Sequence, residues 1–257
     1  MTHSTHEYPT APFVSGELCD LLRCTCGETV AKRARHGNES AVMAEAMNLS
    51  ALLKDADPRL PPYVPELVSV ASDGGWTNVF KSLDGFYTLE EVHARYPVLE
   101  PRDMAWMFRR LLVVLGFTMR ADMVHGAVVP SHVLIHPEKH GLVLVDWCYA
   151  TGAGQDLEMR SEAYQDWYPP EGKTGTIVGP EMDVYMAAGC MLWLLGGQPD
   201  GSGLPTSVPR EYRAFFNVCT KPIAADRPPD AWDVKEHFDG LIEHLYGARK
   251  FRPFSMS

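Results

Sequence analysis

The sequence is short of several things, and each shortage excludes a class of protein. Its longest apolar runs, Met186–Leu195 and Leu111–Phe117, fall well below the roughly 18 residues that a membrane-spanning helix needs. No basic segment followed by an apolar one stands at the N-terminus, so no secretory signal is expected and a cytoplasmic location follows. Positive charge is in deficit. Lys and Arg number 23 against 33 Asp and Glu, a net charge of −10, which argues against nucleic acid or an anionic membrane as partner. Cysteine is sparse and scattered, and only Cys24 and Cys26 lie close together. A C-x-C without a second pair is not the spacing of a zinc site. On a strand the two would share one face and read as small buried hydrophobes, and reduced thiols suit the cytoplasm. Internal repeats and low-complexity tracts are absent.

What is present suffices for a packed core. Of 257 residues, 46% are apolar and 22% charged, enough for one large domain or two lobes. The first dozen residues are polar and proline-punctuated, and fraying is expected there. Leu21–Cys26 and Thr29–Ala34 flank Gly27-Glu28 as a hairpin. A helix beginning near Asn38 carries Val42, Ala46, Leu49 and Leu53 on one stripe and ends before Pro58. Residues 66–71 and 76–83 read as strands around an Asp73-Gly74-Gly75 turn.

The rest is mainly helical. Pro101 opens a largely buried helix containing Trp106, Leu111–Leu115 and Phe117. Short strands at 133–135 and 142–145 surround the loop 136–141. From Asp146 to Pro180 no periodicity is sustained, so a long loop is expected, of the kind that is usually functional or disordered. Helices follow over 183–195, 210–219 and 230–246. The order predicts an α+β chain: a small β-rich unit with one helix over 1–83, and a helical unit over 84–257.

Seven motifs, in order, resemble the protein kinase superfamily. Thr29-Val-Ala-Lys32 is similar to the family's strand-3 V-A-I-K, and Glu45 lies thirteen residues on in the next helix. His125-Gly-Ala-Val-Val-Pro-Ser-His132-Val-Leu-Ile135 resembles H-R-D-L-x-x-x-N-V-L-I. Asp146-Trp-Cys148 stands where D-F-G would, and Pro169-Pro-Glu171 where A-P-E would. Asp183-Val-Tyr is similar to the start of the family's central helix, and Arg227-Pro-Pro-Asp-Ala to the R-P-S-A before its last helix. The stretch from His125 to Tyr149 and the tail Arg249-Lys-Phe-Arg-Pro-Phe also resemble a bacterial and phage kinase-like group.

The resemblance implies a bilobal protein-kinase-like fold, with a truncated β-rich N-lobe and a mostly helical C-lobe. It implies an ATP site in which Lys32, paired with Glu45, faces the phosphates and Asp146 holds Mg²⁺. His132 stands at the second metal ligand, where the family has asparagine. The alternative for Lys32 is a solvated lysine in a basic run, and for Asp146 a structural cap. Glu39 competes with Glu45, but it lies near the helix start, where a carboxylate suits the dipole.

Three departures are informative. Ala127 replaces the catalytic aspartate and can neither orient a hydroxyl nor accept its proton. An imidazole at 132 is a poor ligand for hard Mg²⁺. No glycine stands between Gly16 and Gly27, so the family's glycine-rich loop cannot be written. A pseudokinase is therefore expected, regulatory or scaffolding, with ATP and Mg²⁺ bound weakly if at all and with no catalytic residue. The alternatives are an active ATP-dependent phosphotransferase using non-standard residues, with Asp122, Asp156 and Asp166 as carboxylates to consider, and an interaction module with an empty cleft. The aromatic stretch Tyr164–Tyr168 is a candidate anchor for an unidentified protein partner, since Trp and Tyr dominate interface hot spots. Its alternative is local packing. From the same resemblance, Glu171 should pair with Arg227, and Asp183 should accept the backbone N–H groups of 125–126, all three buried.

Overall fold

A computed structural model describes residues 7–72 and 75–257. Near the N-terminus, β1 (Val14–Ser15), β2 (Cys19–Arg23), β3 (Thr29–Ala34), β4 (Leu67–Ala71) and β5 (Thr77–Lys81) form one antiparallel sheet ordered β1-β2-β3-β5-β4. Helix α1 (Glu39–Leu53) packs on one face of it. In β3 the side chains of Thr29, Ala31 and Lys32 are buried while Arg33 is exposed. The register sets Lys32 opposite Leu21 on one side and Asn78 on the other.

The second half is mainly helical. β6 (Tyr87–Thr88) leads directly into α2 (Leu89–Arg95), whose start carries a reciprocal cap between Thr88 and Glu91. The long helix α3 (Pro101–Arg120) follows, then β7 (Met123–Val124), β8 (Val133–His136) and β9 (Gly141–Leu144). β6, β8 and β9 form a small antiparallel sheet. Short β10 (Thr151–Gly152) and β11 (Gln155–Asp156) precede α4 (Pro170–Thr174), β12 (Ile177–Val178) and α5 (Pro180–Leu194). Helices α6 (Arg210–Cys219) and α7 (Ala231–Tyr246) complete the set. α3 is the hub: it packs on α5 and α7, and its Phe108 ring lies 4.9 Å from Phe238 and 5.3 Å from Phe216. Among the described residues no helix is long and apolar enough to cross a membrane.

Several expectations need correction. Strand β2 stops at Arg23, because Gly27 turns the chain with φ +78°. Cys24 and Cys26 therefore sit in the turn, one buried and one exposed, instead of sharing a strand face. Residues 7 and 8 are not frayed: the Glu7 carbonyl accepts from the Thr25 N–H at 3.0 Å, and the Tyr8 hydroxyl bonds Thr29 at 2.8 Å. The buried stripe of α1 runs through Ala41, Val42, Glu45, Leu49 and Leu52, and Leu53 is exposed. Residues 146–180 are a series of short strands and turns, with two 3₁₀ turns and α4, not one loop. Residues 73 and 74 of the expected turn lie outside the described residues.

Two polar contacts tie the second half together. Asp183 accepts the backbone N–H groups of His125 at 2.7 Å and Gly126 at 3.0 Å. Arg227 forms a two-pronged pair with Glu171, at 2.6 and 2.8 Å, and donates further to the carbonyls of Lys221 and Pro222. Arg227 is fully buried, whereas the Glu171 side chain keeps 15% exposure, more than the reading implied. Beyond α7 the chain turns back onto α3. Arg252 pairs with Asp103 at 2.7 Å, and Phe254 is buried beside Tyr96 and Trp106.

Truncating Arg227 leaves Glu171 and several carbonyls without a donor, a loss of about 3–5 kcal/mol for a buried pair. That is a large share of a total of roughly 5–15 kcal/mol. Arg227→Ala is therefore expected to lower the melting temperature far more than Arg249→Ala in the exposed tail, as read by calorimetry. Equal melting of the two variants would contradict this account of the pair.

Candidate functional site

Between the sheet and the helical region lies a cleft of about 1090 Å³. Lys32, Glu45, His132 and Asp146 all line it. Lys32 leaves β3 toward α1, and its Nζ donates to Glu45 Oε1 at 3.0 Å. The ammonium also makes a direct ion pair with Asp146. Glu39 is not its partner; that carboxylate accepts the Gly37 N–H at the helix start. The solvated-lysine alternative fails as well, since the Lys32 side chain is only 5% exposed.

Burial opposes the charge on Lys32, yet the carboxylates of Asp146 and Glu45 outweigh it and hold its pKa well above the ordinary value. For Asp146, burial pushes upward, but Lys32 and then His132 pull harder and keep the carboxyl well below the usual range. Burial raises Glu45, and Lys32 only partly restores it. The cluster is thus one ammonium between two carboxylates. Cys19 and Cys148 flank it, and burial lifts the Cys19 thiol to about 12 and the Cys148 thiol well above its ordinary value. Neither supplies a thiolate near neutral pH.

Two asparagines that no motif singled out brace the cluster. Asn78 on β5 donates to the Val42 carbonyl at 2.7 Å and to Glu45 Oε2 at 3.3 Å. Asn48, one turn beyond Glu45, donates to the carbonyls of Trp147 at 2.9 Å and Ala150 at 3.2 Å. Helix α1 is thereby pinned both to the sheet and to the turn that follows Asp146. Asp146 itself lies just beyond β9 in left-handed backbone, φ +65°. Aspartate tolerates that region better than most side chains.

The loop 125–132 is equally determined. His125 Nε2 bonds the Val145 carbonyl at 2.9 Å, and its Nδ1 accepts the Ala127 N–H at 3.3 Å. A carbonyl only accepts and an N–H only donates, so the neutral Nε2–H tautomer is fixed. The Trp147 ring packs edge-on against His125. Gly126 has φ +78°, and a Cβ there would stand 2.5 Å from the Tyr149 carbonyl oxygen, so only glycine fits. Ala127 is fully buried in a small apolar cluster with Ala41, Cys148 and Tyr149. His132 Nδ1 donates to the Ala127 carbonyl at 2.9 Å, and Nε2 faces Asp146 Oδ2 at 3.5 Å.

Among the described residues no group of three or more His, Cys, Asp or Glu is arranged to hold a metal ion. Asp122, Asp156 and Asp166 do not join the cluster: they are exposed and none lines the cleft. In the segment 164–168, Tyr168 is buried, while Tyr164 and Trp167 are half-buried and packed on each other. Trp167 also lies 5.6 Å from Trp193 of α5.

Burial depresses the pKa of His125 to about 3, against an ordinary histidine value of about 6.5. The unfolded chain takes up a proton below that value and the folded one does not. Stability from this group is therefore complete above about pH 6.5 and is lost as pH falls from there toward 3. Between pH 7.5 and 5 the wild type is expected to lose more in melting temperature than His125→Gln. Equal losses would place the acid sensitivity elsewhere.

No family model matches the chain. It is similar to serine/threonine-protein kinase F of Synechocystis sp., 27% identical over 152 residues, 56% of this chain and 30% of that protein. The chain thus spans less than a third of that relative's length. A kinase-like relationship is what the likeness supports.

Proposed function

We propose that this chain has a protein-kinase-like fold, with a small lobe over 1–83 and a helical lobe over 84–257, and acts as a pseudokinase. In this reading it binds a nucleotide weakly and works as a regulatory or scaffolding module for a protein partner. The observation that carries the reading is the buried Lys32–Glu45 pair facing Asp146, combined with an apolar Ala127 where the family holds its base.

The chemistry follows from charge. Phosphoryl transfer needs a cation on the phosphates, Mg²⁺ bridging them, and a carboxylate aligning the acceptor hydroxyl. Lys32 supplies the first, but two carboxylates already neutralise it. A polyphosphate therefore needs a divalent cation at Asp146 to enter at all. The donor set fits one magnesium ion at most, because Asp146 offers a carboxylate oxygen whereas His132 offers nitrogen. When bound, that ion would neutralise phosphate charge. Nothing at position 127 accepts a proton, and its methyl group packs against Ala41, Cys148 and Tyr149. The cleft keeps an open volume of about 1090 Å³, which favours a ligand over a collapsed interaction module. The intact Lys32–Glu45 pair favours a second reading, an active phosphotransferase with unusual residues.

Two experiments test this. ATP with Mg²⁺ is expected to raise the melting temperature modestly; a ligand at 100 times its Kd adds about 2.7 kcal/mol. Asp146→Asn should abolish most of the shift, and an unchanged shift would remove Asp146 from the cation site. Radiolabel transfer from ATP, to generic protein substrates and to the chain itself, is expected to be absent. Ala127→Asp should not create it, since the new carboxylate enters an apolar pocket and costs stability. Transfer by the wild type that is lost in Lys32→Ala would establish the phosphotransferase instead.

A further inference from the structure

At the turn joining β1 to β2, Glu17 reaches across the mouth of the cleft. Its carboxylate accepts the backbone N–H groups of Ala163 at 2.6 Å and Glu162 at 3.1 Å. The hydroxyls of Ser161 at 3.3 Å and Tyr149 at 3.4 Å also donate to it. These donors lie 132 to 146 residues further along the chain. Hydrogen bonds to an ionised acceptor are the stronger kind, so four converging donors make a specific seat.

The turn that presents Glu17 is braced independently. The Gly16 N–H bonds the Cys19 carbonyl at 2.9 Å, the Ser15 hydroxyl donates to Asp20 at 2.9 Å, and Arg35 pairs with Asp20 at 3.1 Å. The Arg35 N–H also bonds the Leu18 carbonyl at 3.0 Å, so the turn is held to the sheet on one side and, through Glu17, to residues 161–163 on the other. That far side leads straight into the charged cluster: the Tyr149 ring stacks on His132, centroids 5.5 Å apart, and His132 faces Asp146. Ser15, Gly16 and Glu17 line the same cleft as Lys32 and Asp146.

We infer that Glu17 is a latch that fastens the β1–β2 turn over the cleft and bars phosphate-bearing ligands until it lets go. Both halves of the inference are physical. The fastened turn holds Glu17 at the cleft that Lys32 and Asp146 line, and its carboxylate repels the negative charge of an entering polyphosphate. Glu17 is itself exposed, so water competes for its bonds and the latch belongs to the readily opened part of the molecule. The barring of a nucleotide rests on the proposed function, whereas the fastening does not.

Hydrogen exchange followed by mass spectrometry or NMR, with a fluorescent ATP analogue plus Mg²⁺ as probe, separates the two on the full chain. In Glu17→Ala the amides of Glu162 and Ala163 are expected to exchange about tenfold faster or more, with those of α3 unchanged. The analogue should bind about two- to fivefold more tightly, the worth of one exposed like-charge contact. Glu17→Gln, which keeps the shape and loses the charge, should fall between. Unchanged exchange at 162–163 overturns the latch whatever the analogue does. Faster exchange with weaker binding overturns it as well, since Glu17 would then serve the ligand. Faster exchange with no binding by wild type or variant supports the fastening and removes the nucleotide from the proposed function.

Discussion

An ammonium group taken out of water must be surrounded by acceptors, and much of this molecule is arranged to meet that demand for Lys32. Glu45 comes from α1, Asp146 from the end of β9, and both must arrive together for the lysine to stay buried. Neither carboxylate is held by the lysine alone. Asn78 grips Glu45 from the sheet, and Asn48 fixes the turn after Asp146 to the same helix. The sheet, α1 and the 146–150 turn are thus bound through one charged centre. Losing Lys32 leaves two carboxylates without a cation, whereas losing either carboxylate leaves the ammonium with the other alone.

The loop next to that centre is built on the opposite principle. Gly126, Ala127, Cys148 and Tyr149 pack closely, and the backbone of 125–126 is held by the buried carboxylate of Asp183. His125 is kept neutral by burial and locked in one tautomer by its two neighbours. Such a loop is stiff and well satisfied, and Ala127 presents only a methyl group within it.

How much of this was legible in the sequence depended on the kind of contact. The Lys32–Glu45 pair was legible through the kinase resemblance, which implied a partner for the lysine in the helix after its strand. Glu171 and Arg227 were legible only through motif resemblance, and the structure brings them together. Glu17, Asn48 and Asn78 gave no sign. They are single polar residues whose partners are distant in sequence or are backbone groups, and neither leaves a periodic pattern. The stripe on α1 departs from the apolar pattern at Leu53, because the helix turns the charged Glu45 into the core in its place. Cys24 and Cys26 leave the expected strand because β2 ends sooner than its apolar content implies.

The return of the tail onto α3 carries a consequence for the order of events during synthesis. Asp103 meets Arg252 across 149 residues of chain, and Trp106 receives Phe254 only after the same interval. At about 5–20 residues per second, the N-terminal turn of α3 waits about 7–30 s for these partners. Throughout that time Asp103 lacks its guanidinium partner, and Trp106 has His140 stacked on it at 4.2 Å but not the Phe254 ring. The tail's seat on α3 cannot form until residues 252–254 have been made, so the packing of that end of the helix follows the rest of the helical region.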